Sequence, residues 1–254
     1  MKQICILLYL ISLSCLGELN AQPCIIAHRG FWNVDGSAQN SISSLRKAAE
    51  VSCWGSEFDV WMTLDGVLVI NHDGRIGDCV VQDVDYKDIK NMRLSNGEML
   101  PTLEAYLLAG KNYPDLKLIL ELKSHKNATQ ENEAAQKIVD MVARLGLKEQ
   151  VEYISFSLNA CKQLIHLDPT AKVAYLNGDL SPQQVKEIGL TGIDYYWEII
   201  QNHPYWVKDA QALGLSVNVW TVNSPKEQEY MIRLGVDYIT TDCPLDVRKL
   251  LKDK

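Results

Sequence analysis

Chemistry in this chain gathers at a few short polar groups, each set against an apolar run. His28-Arg29-Gly30 closes the first run. Glu57-Phe58-Asp59 places two carboxylates two residues apart, and Glu121-Leu122-Lys123 repeats that spacing with a carboxylate and an ammonium. Asn71-His72-Asp73 and Trp220-Thr221-Val222-Asn223 end two further runs. In a β-strand, residues i and i+2 share a face. Three carboxylates (Glu57, Asp59 and Glu121) turned toward one point would repel. A hard divalent cation that prefers oxygen, Mg²⁺ or Ca²⁺, removes that cost. His28 and His72 beside them suit general acid–base work near neutral pH. Arg29 can hold a phosphate bidentately, and Lys123 adds a point charge. Together these groups point to phosphoester cleavage. Each alone is ordinary, since a single histidine after a strand is more often structural and a single Glu-x-Asp more often part of a surface ion pair. Their weight comes from all falling at expected strand ends or on one hairpin return.

The elements that must position them read as a repeating alternation. Strands are expected at Cys24–Ala27, Ser56–Val60, Lys117–Leu122, Glu152–Phe156, Lys172–Leu176, Ile193–Tyr196, Ser216–Trp220 and Tyr238–Thr241. These runs are almost continuously apolar, as strands buried on both faces are. Helical patterns lie between most of them, at Ser41–Ser52, Leu103–Lys111, Gln130–Leu145, Leu158–Leu167, Pro182–Ile188, Tyr205–Leu213 and Lys226–Leu234. Ser181-Pro182 and Ser224-Pro225 have the form of an N-cap followed by proline, and Gly146, Gly189, Gly214 and Gly235 stand just past helix ends. Eight strands with helices between them predict a single-domain (β/α)8 TIM barrel, α/β in class, with its chemistry at the C-terminal strand ends. A doubly wound sheet is the alternative, but no G-x-G-x-x-G follows the first strand.

One connection breaks the alternation. Val67–Asn71 follows the second strand too closely for a parallel crossover, so a hairpin is expected. If Asp65-Gly66 is its two-residue turn, Asp59 lies opposite His72, with their Cβ atoms about 5 Å apart.

Composition narrows the partners. A formal charge of −7 leaves no basic excess for a nucleic-acid backbone. Lys2, the apolar run Ile4–Leu16 and the small residue Ala21 read as a cleaved export signal over residues 1–21. Residues 22–254 would then be the mature domain, periplasmic in location. A lipoprotein acylated at Cys15 is the second reading, although Ser12 stands where such a site usually has Leu. No later run is long and apolar enough to span a membrane. Of seven cysteines, none forms C-x-x-C or a zinc-spaced cluster, so buried thiols or one disulfide are expected. His125, His166 and His203 are expected to be structural or surface groups, and Asp242 to cap a loop.

The runs Ala27-His28-Arg29-Gly30, Gln39-Asn40-Ser41, Glu57-Phe58-Asp59-Val60, Thr63-Leu64-Asp65-Gly66-Val67 and His72-Asp73 resemble the glycerophosphodiester phosphodiesterase family. Pro101-Thr102-Leu103-Glu104, Glu121-Leu122-Lys123, Trp220-Thr221-Val222-Asn223 and the stretch Gly235 to Pro244 continue the match in the family's order. The resemblance implies a barrel that hydrolyses glycerophosphodiesters, small soluble molecules, to glycerol 3-phosphate and an alcohol with a divalent metal. It implies Glu57, Asp59 and Glu121 as metal ligands, His28 and His72 as the acid–base pair, and Arg29 and Lys123 as phosphate contacts. Trp220 would be an aromatic wall of the glycerol site. The family usually has Pro-Glu-Asn-Thr where this chain has Ala38-Gln39-Asn40-Ser41, so a carboxylate's hold on Arg29 would become a neutral hydrogen bond. Roughly thirty residues separate Asp73 from Thr102, which limits any inserted cap to a small one. Substrate selection is then expected from the barrel-top loops, including Phe31-Trp32 and Tyr195-Tyr196-Trp197. Two other functions remain open: a phospholipase-like barrel acting on intact lipid or inositol phosphodiesters, with Phe31-Trp32 as an apolar rim, and a non-catalytic barrel that binds a phosphorylated ligand.

Overall fold

A computed structural model describes residues 22–252. The expected export signal lies outside the described residues. Eight apolar runs form parallel strands: β1 (Cys24–Ala27), β2 (Gly55–Met62), β6 (Lys117–Leu122), β7 (Val151–Ser155), β8 (Val173–Tyr175), β9 (Gly192–Tyr196), β10 (Ser216–Trp220) and β11 (Tyr238–Thr241). Three short strands, β3 (Leu68–Ile70), β4 (Arg75–Ile76) and β5 (Cys79–Val80), lie between β2 and β6. The parallel strands pair in chain order. β1 pairs with both β11 and β2, through Cys24↔Tyr238 and Ile26↔Gly55, and so closes the barrel.

Helices cover the outside: α1 (Ile42–Glu50), α3 (Leu103–Gly110), α4 (Ala128–Leu145), α5 (Leu158–Leu167), α6 (Pro182–Ile188), α8 (Tyr205–Ala212) and α9 (Pro225–Leu234). Ser41, Thr102, Asn127, Ser157, Ser181 and Ser224 each accept a backbone N–H in the first turn that would otherwise lack a partner. Three helices were not legible in the sequence: the short α2 (Tyr86–Ile89), α7 (Trp197–Asn202) and α10 (Pro244–Lys252). Strand alternation sorts the core. Phe58, Val60, Leu118, Leu120 and Leu122 face the helices, while Ile26, Ile119, Ile154 and Leu176 fill the barrel above Trp54 and Tyr238. All five described cysteines are free thiols, with no disulfide among them.

The hairpin differs from the expected one. Val60 pairs with Ile70, Trp61 with Val69 and Met62 with Leu68, one residue short of the register that sets Asp59 opposite His72. Asn71 takes that place, and its N–H donates to the Asp59 carbonyl at 3.1 Å. The turn is the three-residue loop Leu64-Asp65-Gly66, closed by Thr63 N–H donating to the Val67 carbonyl at 2.9 Å. Gly66 has φ +80°, the left-handed residue such a loop requires. Thr63 Oγ1 fixes the choice, donating to Asp65 Oδ1 at 2.6 Å and accepting from Val67 N–H. Beyond the hairpin, β4, β5, a 3₁₀ turn (Val81–Asp83) and α2 (Tyr86–Ile89) form a small insertion. It packs Val81, Ile89 and Leu100 on Val69 and Trp61. An ion pair between Lys126 and Asp83 and hydrogen bonds such as Lys126 N–H donating to Gln82 Oε1 at 2.9 Å and Tyr86 N–H donating to Asp65 Oδ1 at 2.9 Å tie it to the barrel.

Inside the barrel, Asp194 on β9 is 2% exposed and its Oδ1 has no hydrogen-bond partner. Burial pushes its carboxyl from 3.8 to about 7. A carboxyl raised in this way gives its full stability below its unfolded value and loses it as pH rises through about 7. The loss is on the order of 4 kcal/mol by pH 8. Asp194→Asn is therefore expected to narrow the gap in melting temperature between pH 5 and pH 8 by roughly 5–15 °C. An unchanged gap in calorimetric scans at the two pH values would show that Asp194 does not carry the proton.

Candidate active site

The C-terminal ends of β2 and β6 bring the carboxylates together. Parallel register sets Asp59 beside Glu121, with Glu57 one step below on the same face of β2. One ligand oxygen from each of Glu57, Asp59 and Glu121 lies within 4.8 Å of the others, and all three residues are buried. The loop after β1 braces them. Arg29 N–H donates to Glu57 Oε2 at 2.7 Å, and Asn40 Nδ2 donates to Asp59 Oδ2 at 2.7 Å. The loop turns tightly at Gly30, φ +75°, where an added Cβ would lie 2.2 Å from Ser44 Oγ.

Lys123 enters the same space. Its Nζ is 2.6 Å from Asp59 Oδ1 and 2.7 Å from Glu121 Oε1, the second contact lying off hydrogen-bond alignment. The electrostatics are lopsided as a result. Burial, reinforced by the neighbouring carboxylates, holds Glu57 and Glu121 well above the usual range. Burial would raise Asp59 too, but Lys123 and Asn40 outweigh it and hold that carboxyl low. Arg29 reaches the cluster from the other side. Its Nε is 3.9 Å from Asp59 Oδ2, and Nη1 donates to Gln39 Oε1 at 2.8 Å, the neutral hydrogen bond expected of that position.

The two histidines differ in their support. Nδ1 of His28 lies 2.8 Å from Asp242 Oδ1. A carboxylate only accepts, so Nδ1 carries the proton. Asp242 is itself tied down, accepting from Trp32 Nε1 at 2.9 Å and from Asn223 Nδ2 at 2.7 Å. This role went unread in the sequence, where Asp242 looks like a loop cap and is separated from His28 by 214 positions. His72 leaves the strand ladder after Asn71. It still stands close enough to Asp59, Lys123 and Arg29 to feel their charges, although burial, the largest influence, lowers its pKa. Its Nδ1 lies 2.7 Å from the exposed Asp73 carboxylate. His125 is structural, as expected: Nδ1 donates to the Lys123 carbonyl while Nε2 accepts from Met62 N–H.

An aromatic wall closes one side. Trp220 donates its indole N–H to the Asp194 carbonyl at 2.9 Å and packs against Phe156 and Tyr196, each 5.5 Å between ring centroids. Trp61, His72, Glu121, Lys123 and Phe156 border an open cleft of about 540 Å³. Two loop residues expected to select substrate do not face this mouth: Phe31 is 7% exposed and Tyr195 fully buried, both in the helix-facing core.

The donor set fits a divalent cation. It is all oxygen and converges on one point, and Glu57 Oε1 is buried with no hydrogen-bond partner.

Residues 28–246 match the glycerophosphoryl diester phosphodiesterase family model. The chain is 27% identical to a glycerophosphodiester phosphodiesterase of Caldanaerobacter subterraneus subsp. tengcongensis, over 90% of this chain and 97% of that protein. It superposes on the crystal structure of a glycerophosphodiester phosphodiesterase from Parabacteroides distasonis with a TM-score of 0.91. The two are 50% identical over 91% of this chain and 98% of the other. An Oleispira antarctica phosphodiesterase, solved in complex with the product sn-glycerol-3-phosphate, shares the fold at 22% identity and a TM-score of 0.77. That match covers 91% of this chain and 97% of the other.

The geometry makes Glu57 separable from the fold. Divalent cation at about 100 times its Kd is expected to stabilise the protein by ~2.7 kcal/mol, roughly 5–10 °C in melting temperature. Glu57→Gln replaces a buried carboxyl already driven toward its neutral form by a neutral amide of the same shape, so the metal-free variant is expected to melt no lower than the wild type while losing the metal-induced rise. Scanning fluorimetry with and without Ca²⁺ reads both effects, and a rise retained by the variant would remove Glu57 from the ligand set.

Proposed function

The chain belongs to the glycerophosphoryl diester phosphodiesterase family, and from that premise we propose that it hydrolyses glycerophosphodiesters to glycerol 3-phosphate and an alcohol at the barrel mouth. The observation that carries this reading is the convergence of Glu57, Asp59 and Glu121 with Arg29 and Lys123, flanked by two histidines that each lean on a carboxylate. Glu57, Asp59 and Glu121 would hold the cation. The all-oxygen set suits Mg²⁺ or Ca²⁺. When bound, the cation supplies charge stabilisation to the phosphoryl oxygens.

The chain's own residues do the rest. Arg29, steadied by Gln39, offers its remaining N–H groups to the phosphate. Lys123 adds a second positive charge. One histidine takes the proton of the nucleophile, either water itself or a glycerol hydroxyl whose cyclic phosphate water then opens, and the other returns a proton to the leaving alkoxide. Asp242 serves His28 by fixing its tautomer and the orientation of its ring. Trp220, with Phe156 and Tyr196, gives the carbon chain of the glycerol moiety an apolar face.

The intact-lipid alternative drew on Phe31 and Trp32 as an exposed rim. Phe31 is in the core and Trp32 is held by Asp242, which favours soluble substrates. The non-catalytic alternative drew on Gln39. That side chain still holds Arg29, which favours catalysis. The export reading of residues 1–21 makes the enzyme periplasmic, with anchoring through Cys15 as the second possibility.

Release of glycerol 3-phosphate from glycerophosphocholine or glycerophosphoethanolamine, with added Mg²⁺ or Ca²⁺, is the direct test. Glu57→Gln and His28→Ala are each expected to lower kcat by about 10²-fold or more. Undiminished turnover in either variant would sink the assignment of that residue. Asp242→Asn keeps the shape but loses the charge behind His28. It is expected to lower kcat by roughly 10- to 100-fold with little change in KM, part of what a general acid–base group contributes. A change confined to KM would show that Asp242 does not act through His28.

A further inference from the structure

The carboxylate cluster already holds a cation. Lys123 Nζ stands at ion-pair distance from both Asp59 and Glu121, and the residue is only 9% exposed. A divalent cation shared by Glu57, Asp59 and Glu121 draws on oxygens of the same Asp59 and Glu121 carboxylates that now face the ammonium. An ammonium and a dication within a few ångströms of one another, in a pocket shielded from water, repel strongly. Both cannot keep those oxygens.

We propose that Lys123 is the resident counter-ion of the metal-free cluster, and that metal binding is an exchange which drives its ammonium off Asp59 and Glu121 and frees it to meet the phosphate. This inference rests on the functional reading above and goes beyond it. Its side chain can make the move. Lysine carries a compact charge on a flexible four-carbon stem. Among the described residues, Asp59 and Glu121 are the only side chains that pair with Nζ. Lys123 follows the last residue of β6 and borders the open cleft of about 540 Å³ that His72 and Phe156 also line, so the ammonium has room to swing outward. Arg29 is not built for this, because its guanidinium is held by Gln39 and its backbone by Glu57.

Two consequences follow. Metal affinity is lower than the three carboxylates alone would give, because each binding event breaks two ion pairs. The phosphate contact from Lys123 becomes available only once metal is in place, so the cation prepares the phosphate site as well as neutralising it.

Two measurements on the full mature protein test the exchange. In calorimetric titration with Ca²⁺, Lys123→Met is expected to bind about tenfold tighter or more, ~1.4 kcal/mol. Its melting temperature is expected to fall below wild type without metal and to recover with it. The second measurement uses the wild type, so a poorly folding variant does not end the test. Reductive methylation of Lys123, read by peptide mass spectrometry, is expected to speed up several-fold on Ca²⁺ saturation, while the distant Lys186 is unchanged. Ca²⁺ binding with equal or weaker affinity in Lys123→Met, or with unaltered labelling of Lys123, would overturn the exchange and leave the functional reading intact. Failure of the folded wild type to bind Ca²⁺ or Mg²⁺ at all would overturn both.

Discussion

Three carboxylates buried at one end of a barrel must be held against their own repulsion and against loss of water. Neither cost is met by packing. Asp59 carries the charge because Lys123 and Asn40 support it, and Glu57 and Glu121 are driven toward their neutral forms. A cluster in that condition is poised for a cation. The rest of the mouth is arranged around it. The loop after β1 donates a backbone N–H to Glu57, Arg29 leans toward Asp59, and the loop reaches this position only because Gly30 can turn over Ser44.

The barrel supplies the precision. Strand alternation sends Phe58 and Leu120 to the helices and leaves Glu57, Asp59 and Glu121 facing inward, while parallel register fixes Asp59 against Glu121. The two histidines arrive by different routes. His28 sits just past the end of β1, with its partner Asp242 just past β11, the strand that pairs with β1. His72 arrives on the chain leaving the hairpin, with a partner one residue away and open to solvent. One of the two candidate proton carriers is thus braced, and the other is looser beside an open cleft.

Much of this was legible in the sequence, and the misses have physical causes. The bounds of β1, β6, β10 and β11 follow from largely apolar runs with a polar residue directly after them. Glu57, Asp59, Glu121, Arg29 and Lys123 converge as their spacing and strand placement required. The hairpin register did not follow, because Asp65-Gly66 serves a two-residue turn and a three-residue loop equally well. The Thr63 hydroxyl, bound to Asp65 and Val67, decides between them. One residue of slip replaced His72 by Asn71 opposite Asp59, yet His72 still reaches the cluster by leaving the ladder. Asp242 was missed because its importance lies in a contact with a residue at the other end of the chain. Phe31 was misjudged because an aromatic residue in a loop can fold back under it.

The central claim is that Glu57, Asp59 and Glu121 together form one cation site. Anomalous diffraction from crystals soaked in Ca²⁺ tests it most directly. One peak is expected at the barrel mouth, with oxygens of all three side chains about 2.3–2.6 Å away. A peak bound to other groups, or coordination that leaves out any of the three, would contradict it.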